Sequence, residues 1–203
     1  TDASADYYYD NVSKLATGFS FDAVKSDGSY RHGFEIHIPG RFNIENALAA
    51  IVLGKSLGVS DENIYNGLIM TVVKGRMNVF EKDGITVIVD YAHNKLSYSK
   101  LYESLKLDYA GRRIVSVGGC VGGKAFNRRH EFGEIVGGNS DYIYLTAVDP
   151  QYEDINHICE DIATYIPADT GYEIIPDRKT AITKAIGEAK KGDVVVLVGK
   201  GEE

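Results

Sequence analysis

Cysteine is scarce here: the chain has two, Cys120 and Cys159. Two thiols cannot build a disulfide framework and fall short of the ligand set of a structural zinc. An apolar run of about 18 residues, enough to span a bilayer as a helix, is also missing. The opening TDASADYYYD is polar and acidic and does not resemble a secretory leader. A net charge of −7 with no basic stripe to offset it argues against a nucleic-acid partner. No HExxH and no Ser–His–Asp arrangement is visible, so zinc and nucleophilic hydrolase chemistry have no support. These absences leave a cytoplasmic protein with no membrane and no nucleic-acid partner as the expectation.

What is present is ordinary for a globular chain: 44% apolar and 25% charged residues over 203 positions. That length suits one large or two small domains. The first 14 residues carry no periodic signal, and Tyr7-Tyr8-Tyr9 reads as a strand or packed arm rather than a recognition patch. Two strands follow, over 15–25 and 31–38, joined at Ser26-Asp27-Gly28-Ser29. In the second, Phe34, Ile36 and Ile38 share one face, which makes His37 a solvated sheet residue. A helix is expected over 44–57, with Asn43 as N-cap and Gly58 as its stop. Ser60 caps a second helix reaching about Met70, with Asp61 and Glu62 matched to the helix dipole. Val72 to Gly75 reads as a linker, so domains are expected over 1–74 and 75–203.

From Gly75 onward the rhythm changes. The stretch GRMNVFEKDGITVIVDYAHN holds a tight turn at Asp83-Gly84 and a buried-strand signal from Ile85 to Val89. That predicts a strand over 77–81 hairpinned onto one over 85–89. Further strands are expected over 113–117, 142–145, 172–175 and 194–198. Helices are expected between them over 97–106, 128–136, 154–166 and 177–190. Short connections imply parallel strands with right-handed crossovers. The fold class is therefore α/β, a Rossmann-like, mostly parallel sheet with helices on both faces, preceded by a β-hairpin and helices. Cys159 falls on the apolar face of its helix and reads as a small buried hydrophobe.

Chemistry-bearing residues gather just after the strands. They include Asp90, Tyr91 and His93, then the glycine-rich VGGCVGGK with Arg128 and Arg129. Next come Thr146, Asp149, Pro150 and Gln151, then Asp177 and Arg178, and at the end Gly199-Lys200-Gly201-Glu202-Glu203. In open α/β sheets ligands bind outside the carboxyl ends of the strands. VGGCVGGK reads either as a phosphate-cradling loop or as a tight strand-to-helix turn. Asp90 reads equally as a helix cap or as a ribose-binding carboxylate. Arg128-Arg129 at a helix start opposes the dipole, a conflict that favours an anionic ligand.

Several stretches in order, GRFNIENALAAI, KGRMNVF, VDYAHN, GGCVGGKAFNRRHEFGEI, TAVDPQYED, IPDRKTAI and VVVLVGKGEE, resemble the Mur ligase family. The likeness runs from about residue 39 to the end and is strongest to the MurE-like, UDP-N-acetylmuramyl-tripeptide synthetase branch. GRMNVF and VDYAHN also resemble the Mur-like part of cyanophycin synthetase. The resemblance implies an ATP-dependent ligase that forms an amide bond through an acyl phosphate, with ATP and Mg²⁺ as cofactors. It implies UDP-N-acetylmuramyl dipeptide and an amino acid as substrates, and a monomer. It would place Asn43 and Asn46 near adenine, Arg76 at the phosphates, Asp90 on the ribose and His93 near the phosphate end. Arg76 and His93 would be the catalytic pair. Arg128 and Arg129 would face anionic substrate, and Asp149, Gln151, Lys200 and Glu203 would line the amino-acid pocket.

Three departures qualify the carry-over. Diaminopimelate-type relatives carry Asp-Asn-Pro-Arg where this chain has Val148-Asp149-Pro150-Gln151. A neutral Gln cannot make the bidentate pairing of Arg, so lysine or another diamino acid is implied. Gly123 stands where many relatives have aspartate, and the final motif reads GKGEE rather than GKGHE. No P-loop precedes residue 40. The chain is therefore expected to be a fragment holding the tail of the ATP-binding domain and the C-terminal domain, inactive alone. A cyanophycin-type ligase and a non-catalytic nucleotide-binding module are the alternatives.

Overall fold

The computed structural model describes residues 5–201. The chain divides into two compact units, Thr1–Val73 and Lys74–Glu203.

The first unit is built on an antiparallel sheet of β1 (Tyr7–Lys14), β2 (Phe19–Lys25) and β3 (Arg31–Ile36), in that order. The pairs Phe19↔Ile36 and Phe21↔Phe34 put alternate residues on one face. That face is covered by Ile44, Ala47 and Ile51 of α1 (Asn43–Ser56) and Ile64 of α2 (Asp61–Met70). β1 contains Tyr7-Tyr8-Tyr9, read from the sequence as a strand or packed arm; beyond them its register shifts between Asp10 and Ser13, with Asn11 at φ 49°. Such a bulge breaks the two-residue alternation on which strand detection rests. β2 begins at Phe19, not at 15, because residues 15–18 form a turn in which Leu15 N–H donates to the Gly18 carbonyl at 3.1 Å. Only glycine fits there: at φ +86°, a Cβ would lie 1.9 Å from the Ile36 carbonyl oxygen.

α1 starts differently from expectation. Phe42 occupies the N-cap, with helical dihedrals and no capping side chain. Asn43 is the first helical residue; its Nδ2 donates to the Pro39 carbonyl at 2.7 Å and its Oδ1 accepts from Asn46 at 3.0 Å. The helix entry is thus held by the side chain reaching back rather than by a capped N–H. α2 begins as read, with Ser60 accepting from the Asn63 N–H at 3.3 Å.

The second unit is a six-stranded sheet. Its elements are β4 (Asn78–Lys82), β5 (Ile85–Asp90), α3 (Lys95–Asp108), β6 (Ile114–Gly118), α4 (Asn127–Ile135), β7 (Tyr142–Leu145), α5 (Ile155–Ala163), β8 (Gly171–Ile174), α6 (Arg178–Glu188) and β9 (Val194–Val198). The spatial order is β4-β5-β9-β6-β7-β8; β4 is antiparallel and the other pairs are parallel. β9 is buried along its whole length, which suits its unbroken run VVVLV. One face of the sheet, carrying Val115, Val117, Val195, Leu197 and Tyr144, packs on Ala181 and Ala185 of α6. On the other, Tyr102 of α3 bonds Ser116 of β6 at 2.6 Å, and Tyr98 meets Phe132 of α4 edge-on at 5.5 Å. α5 closes on α4 where a Cβ on Gly133 would sit 2.8 Å from the Ile162 carbonyl. Helices therefore lie on both faces. The expected helices over 154–166 and 177–190 are shorter, because Asp154 and Asp177 are caps outside them and a turn precedes Pro167.

This topology places the crevice. The chain crosses from β5 past the central slot to β6, steps outward to β7 and β8, and returns through α6 to fill the slot with β9. Reversal of direction at β9 makes the carboxyl ends of β5, β9 and β6 a switch point, where such sheets bind ligands.

Candidate functional site on the carboxyl rim

Asp90, the last residue of β5, is 5% exposed. Its two oxygens are taken internally: Oδ2 accepts from the Met77 N–H at 2.9 Å and Oδ1 from the Ala92 N–H at 2.7 Å. Burial raises its pKa, partly opposed by those two bonds. Asp90 therefore does not cap α3, and each of its oxygens already accepts one backbone N–H. It holds the 77 and 92 backbones on either side of Tyr91. The cap is Asn94, which accepts from the Ser97 N–H at 3.0 Å in a reciprocal capping box.

Asp90 thereby positions a stacked trio. The Arg76 guanidinium lies 4.3 Å from the Tyr91 ring centre, and the Tyr91 and His93 rings meet edge to face at 4.9 Å. Arg76 is exposed and His93 half-buried. His93 Nδ1 is 2.9 Å from the Tyr91 carbonyl. A carbonyl only accepts, so Nδ1 carries the proton and Nε2 is left as acceptor in the neutral ring.

The glycine loop after β6 is a turn held against the loop after β7. Val121 pairs with Asp149 in a parallel bridge, and the Gly122 N–H donates to the Asp149 carbonyl at 2.8 Å. A Cβ on Gly119 would lie 2.2 Å from the Thr146 carbonyl oxygen, and one on Gly122 2.1 Å from that of Pro150. The Gly123 N–H is occupied by Glu153 at 2.9 Å. Close backbone approach, not an anion, accounts for Gly119 and Gly122.

Arg129 clamps the same two loops. Its side chain is 5% exposed, with Nη2 2.7 Å from both Glu153 oxygens and Nη1 3.0 Å from Asp161. Those contacts commit it to protein carboxylates, which corrects its placement toward anionic substrate. They also explain a cation at the start of α4. Arg128 is half-buried, and no ion pair is recorded for it among the described residues. Asp149 and Gln151 are exposed at the head of the following loop; Gln151 sits at φ 51°.

Lys200 turns back to the β7 end, its Nζ donating to the Val148 carbonyl at 3.0 Å. That bond ties two rim loops together and uses one of the ammonium's three N–H donors. Glu203 lies outside the described residues, and Asn43 and Asn46 belong to the first unit. Among the described residues no group of three or more His, Cys, Asp or Glu could hold a metal. Sequence reasoning missed Glu153, Asp161 and the role of Tyr91. The Arg129–Glu153 pair spans 24 positions, a separation at which no local pattern signals contact.

A Rossmann-like sheet whose carboxyl rim collects an exposed arginine, a histidine, a carboxylate and an amide is a domain of the ligand-binding α/β class. The chain belongs to the Mur ligase family: residues 75–201 match its glutamate ligase domain, and residues 1–54 match its middle domain. It is 40% identical over 196 residues to a UDP-N-acetylmuramoyl-L-alanyl-D-glutamate–L-lysine ligase of Streptococcus sanguinis, covering 95% of this chain and 40% of that protein. A UDP-N-acetylmuramyl-tripeptide synthetase of Lactococcus lactis is 37% identical over 181 residues, covering 88% and 37%. A solved UDP-N-acetylmuramoyl-L-alanyl-D-glutamate–2,6-diaminopimelate ligase superposes with TM-score 0.61 at 28% identity, covering 100% of this chain and 42% of that one. The chain thus spans about 40% of the length of the relatives it matches.

Proposed function

We propose that this chain is the carboxyl-terminal part of an ATP-dependent ligase that adds a diamino acid, lysine first among candidates, to UDP-N-acetylmuramoyl-L-alanyl-D-glutamate. The observation that carries the reading is the Arg76–Tyr91–His93 stack after β5, on the same carboxyl rim of the sheet as the loop of Asp149 and Gln151 after β7, in a chain of this family. Residues 1–74 are the end of the nucleotide-binding domain and 75–203 the domain that presents the amino acid. The enzyme acts in the cytoplasm as a monomer, without nucleic-acid or membrane partners, and the piece alone is inactive.

In the reaction, the substrate carboxylate attacks the terminal phosphorus of ATP and ADP leaves. The amine of the amino acid then attacks the acyl carbon, inorganic phosphate departs, and the amine loses a proton. Negative charge spreads over phosphoryl oxygens, which a fixed guanidinium stabilises without reorganising. Arg76 meets that need, since its planar face is already seated on Tyr91. His93 Nε2 is an acceptor in the neutral ring and a donor in the protonated one, so it can carry a proton at the phosphate end. Asp149 would pair with the ammonium of the incoming amino acid, and Gln151 would bond its far end without demanding a second carboxylate. Mg²⁺ would supply further charge neutralisation when bound. The described residues offer no cluster to hold it, so no step is assigned through it.

The test follows phosphate release by the full-length protein with ATP, Mg²⁺ and the UDP-muramyl dipeptide against a panel of amino acids. Release that requires both the dipeptide and lysine or another diamino acid is expected. Release with diaminopimelate alone, or with none of the panel, would refute the substrate assignment.

A further inference from the structure

Two buried side-chain atoms among the described residues lack a hydrogen-bond partner, Arg129 Nε and Arg178 Nη1. Arg129 is well compensated by Glu153 and Asp161. Arg178 is not. Its one recorded bond runs from Nη2 to the Val198 carbonyl at 3.1 Å, and no carboxylate is recorded beside it among the described residues. Burial lowers its pKa, with no opposing charge at work. It also occupies the first position of α6, where a cation opposes the helix dipole. Desolvation, an orphaned donor and an unfavourable dipole all count against stability. A residue that breaks local rules without a stabilising return marks a functional position.

The single bond it makes tells which one. Val198 ends β9, and the turn Gly199-Lys200-Gly201 follows directly. That turn touches three parts of the rim. The Gly199 N–H donates to the Asp90 carbonyl at 3.2 Å, Lys200 reaches the Val148 carbonyl, and a Cβ on Gly201 would sit 3.0 Å from the Gly75 carbonyl and 3.2 Å from Tyr91. We propose that Arg178 is a positioning residue: through the Val198 carbonyl it fixes the Gly199–Gly201 turn, and with it the incoming amino-acid site between the loops after β7 and β9. The last clause rests on the ligase reading; the first does not.

The experiment uses the full-length protein with Arg178→Met and Arg178→Lys, and three readouts. For Arg178→Met, hydrogen exchange of peptides holding Gly199–Gly201 should accelerate at least about tenfold, while peptides from β6 stay unchanged. Its melting temperature should be unchanged or higher, because a half-buried guanidinium with a buried, unpartnered Nη1 has been replaced by an apolar side chain of similar reach. KM for the amino acid should rise about tenfold or more, with KM for ATP within about twofold. Arg178→Lys, which still donates one hydrogen bond to Val198, should restore most of both effects. A lower melting temperature with unaltered exchange at the turn would make the residue merely structural and overturn the proposal. So would faster exchange with an unaltered amino-acid KM, or a lysine variant no better than methionine. If the wild type shows no amino-acid-dependent turnover, the ligase reading fails, and the exchange measurement alone judges the positioning claim.

Discussion

Replacing Gly122 by alanine puts a methyl carbon 2.1 Å from the Pro150 carbonyl oxygen. Reaching even a tight 3.0 Å separation requires the two backbones to part by about 0.9 Å, and both are main chain, so no flexible side chain can yield. The Gly122 N–H bond to the Asp149 carbonyl, now 2.8 Å, would stretch past hydrogen-bonding range. Losing that bond costs about 1 kcal/mol, and overpacking adds about 1–3 kcal/mol, for a total of about 2–4 kcal/mol. The second unit, residues 74–203, has an unfolding entropy of about 0.27 kcal/mol/K at ~2.1 cal/mol/K per residue. The melting temperature should therefore fall by about 7–15 °C. Both cysteines lie in this unit and are buried, so a thermal scan with a thiol-reactive fluorophore follows its unfolding alone. Gly138→Ala is the control: nothing lies within 4 Å of the added carbon, and a change of at most about 1 kcal/mol, upward, is expected. A Gly122→Ala protein melting within about 2 °C of its parent, with nucleotide binding lost, would refute the turn and restore the phosphate cradle.

Other outcomes follow from named contacts. Burial pushes the Cys120 thiol up to about 12 and the Cys159 thiol up to about 11, so neither should react with a thiol reagent at pH 8 in the folded protein, and both should after denaturation; prompt native labelling would contradict their burial. The Gly123 N–H and the Arg129 guanidinium hold the Glu153 carboxyl below its usual range. A depressed folded pKa means stability present above the unfolded value and lost as pH falls through the folded one. Glu153→Gln should thus be less stable than wild type at pH 7, and the gap should narrow below about pH 4; a gap unchanged with pH in acid titration would sink this. Asn94→Ala should cost about 1 kcal/mol by removing the α3 cap, whereas no loss in denaturant unfolding would return the capping role to Asp90.

Much of the second unit was legible because its signals are local. β5 and β9 announce themselves as β-branched runs, Asp83-Gly84 forces the β4–β5 hairpin, and Cys159 falls in phase with Ile158 and Ile162 on a buried helix face. What failed to show was of two kinds. β1 was legible only at Tyr7-Tyr8-Tyr9, because a bulge breaks the alternation beyond Asp10. The site residues were legible as a rim but not as individuals, because sequence cannot tell a polar side chain that awaits a ligand from one already satisfied. Asp90, Arg129 and Lys200 all proved to be engaged within the protein.

That pattern sharpens what the rim can do. With Asp90, Arg129 and Lys200 bonded within the protein, the candidate groups left exposed are Arg76, Asp149 and Gln151, with His93 and Arg128 half-buried. The committed residues are the reason those groups hold still: Asp90 sets the backbone on both sides of Tyr91, Arg129 locks the loop of Asp149 to the glycine turn, and Lys200 joins the ends of β7 and β9. In the proposed reaction the first step is displacement at phosphorus and the second is attack at the acyl carbon of the same carboxylate, so the phosphate-binding cation and the amine site need a fixed relation, since small displacements of reacting groups cost large factors in rate. Conservative changes to the internal clamps should therefore disturb activity more than their stability cost alone accounts for. Arg178, whose buried Nη1 has no hydrogen-bond partner among the described residues, is the position at which that separation can be measured most cleanly.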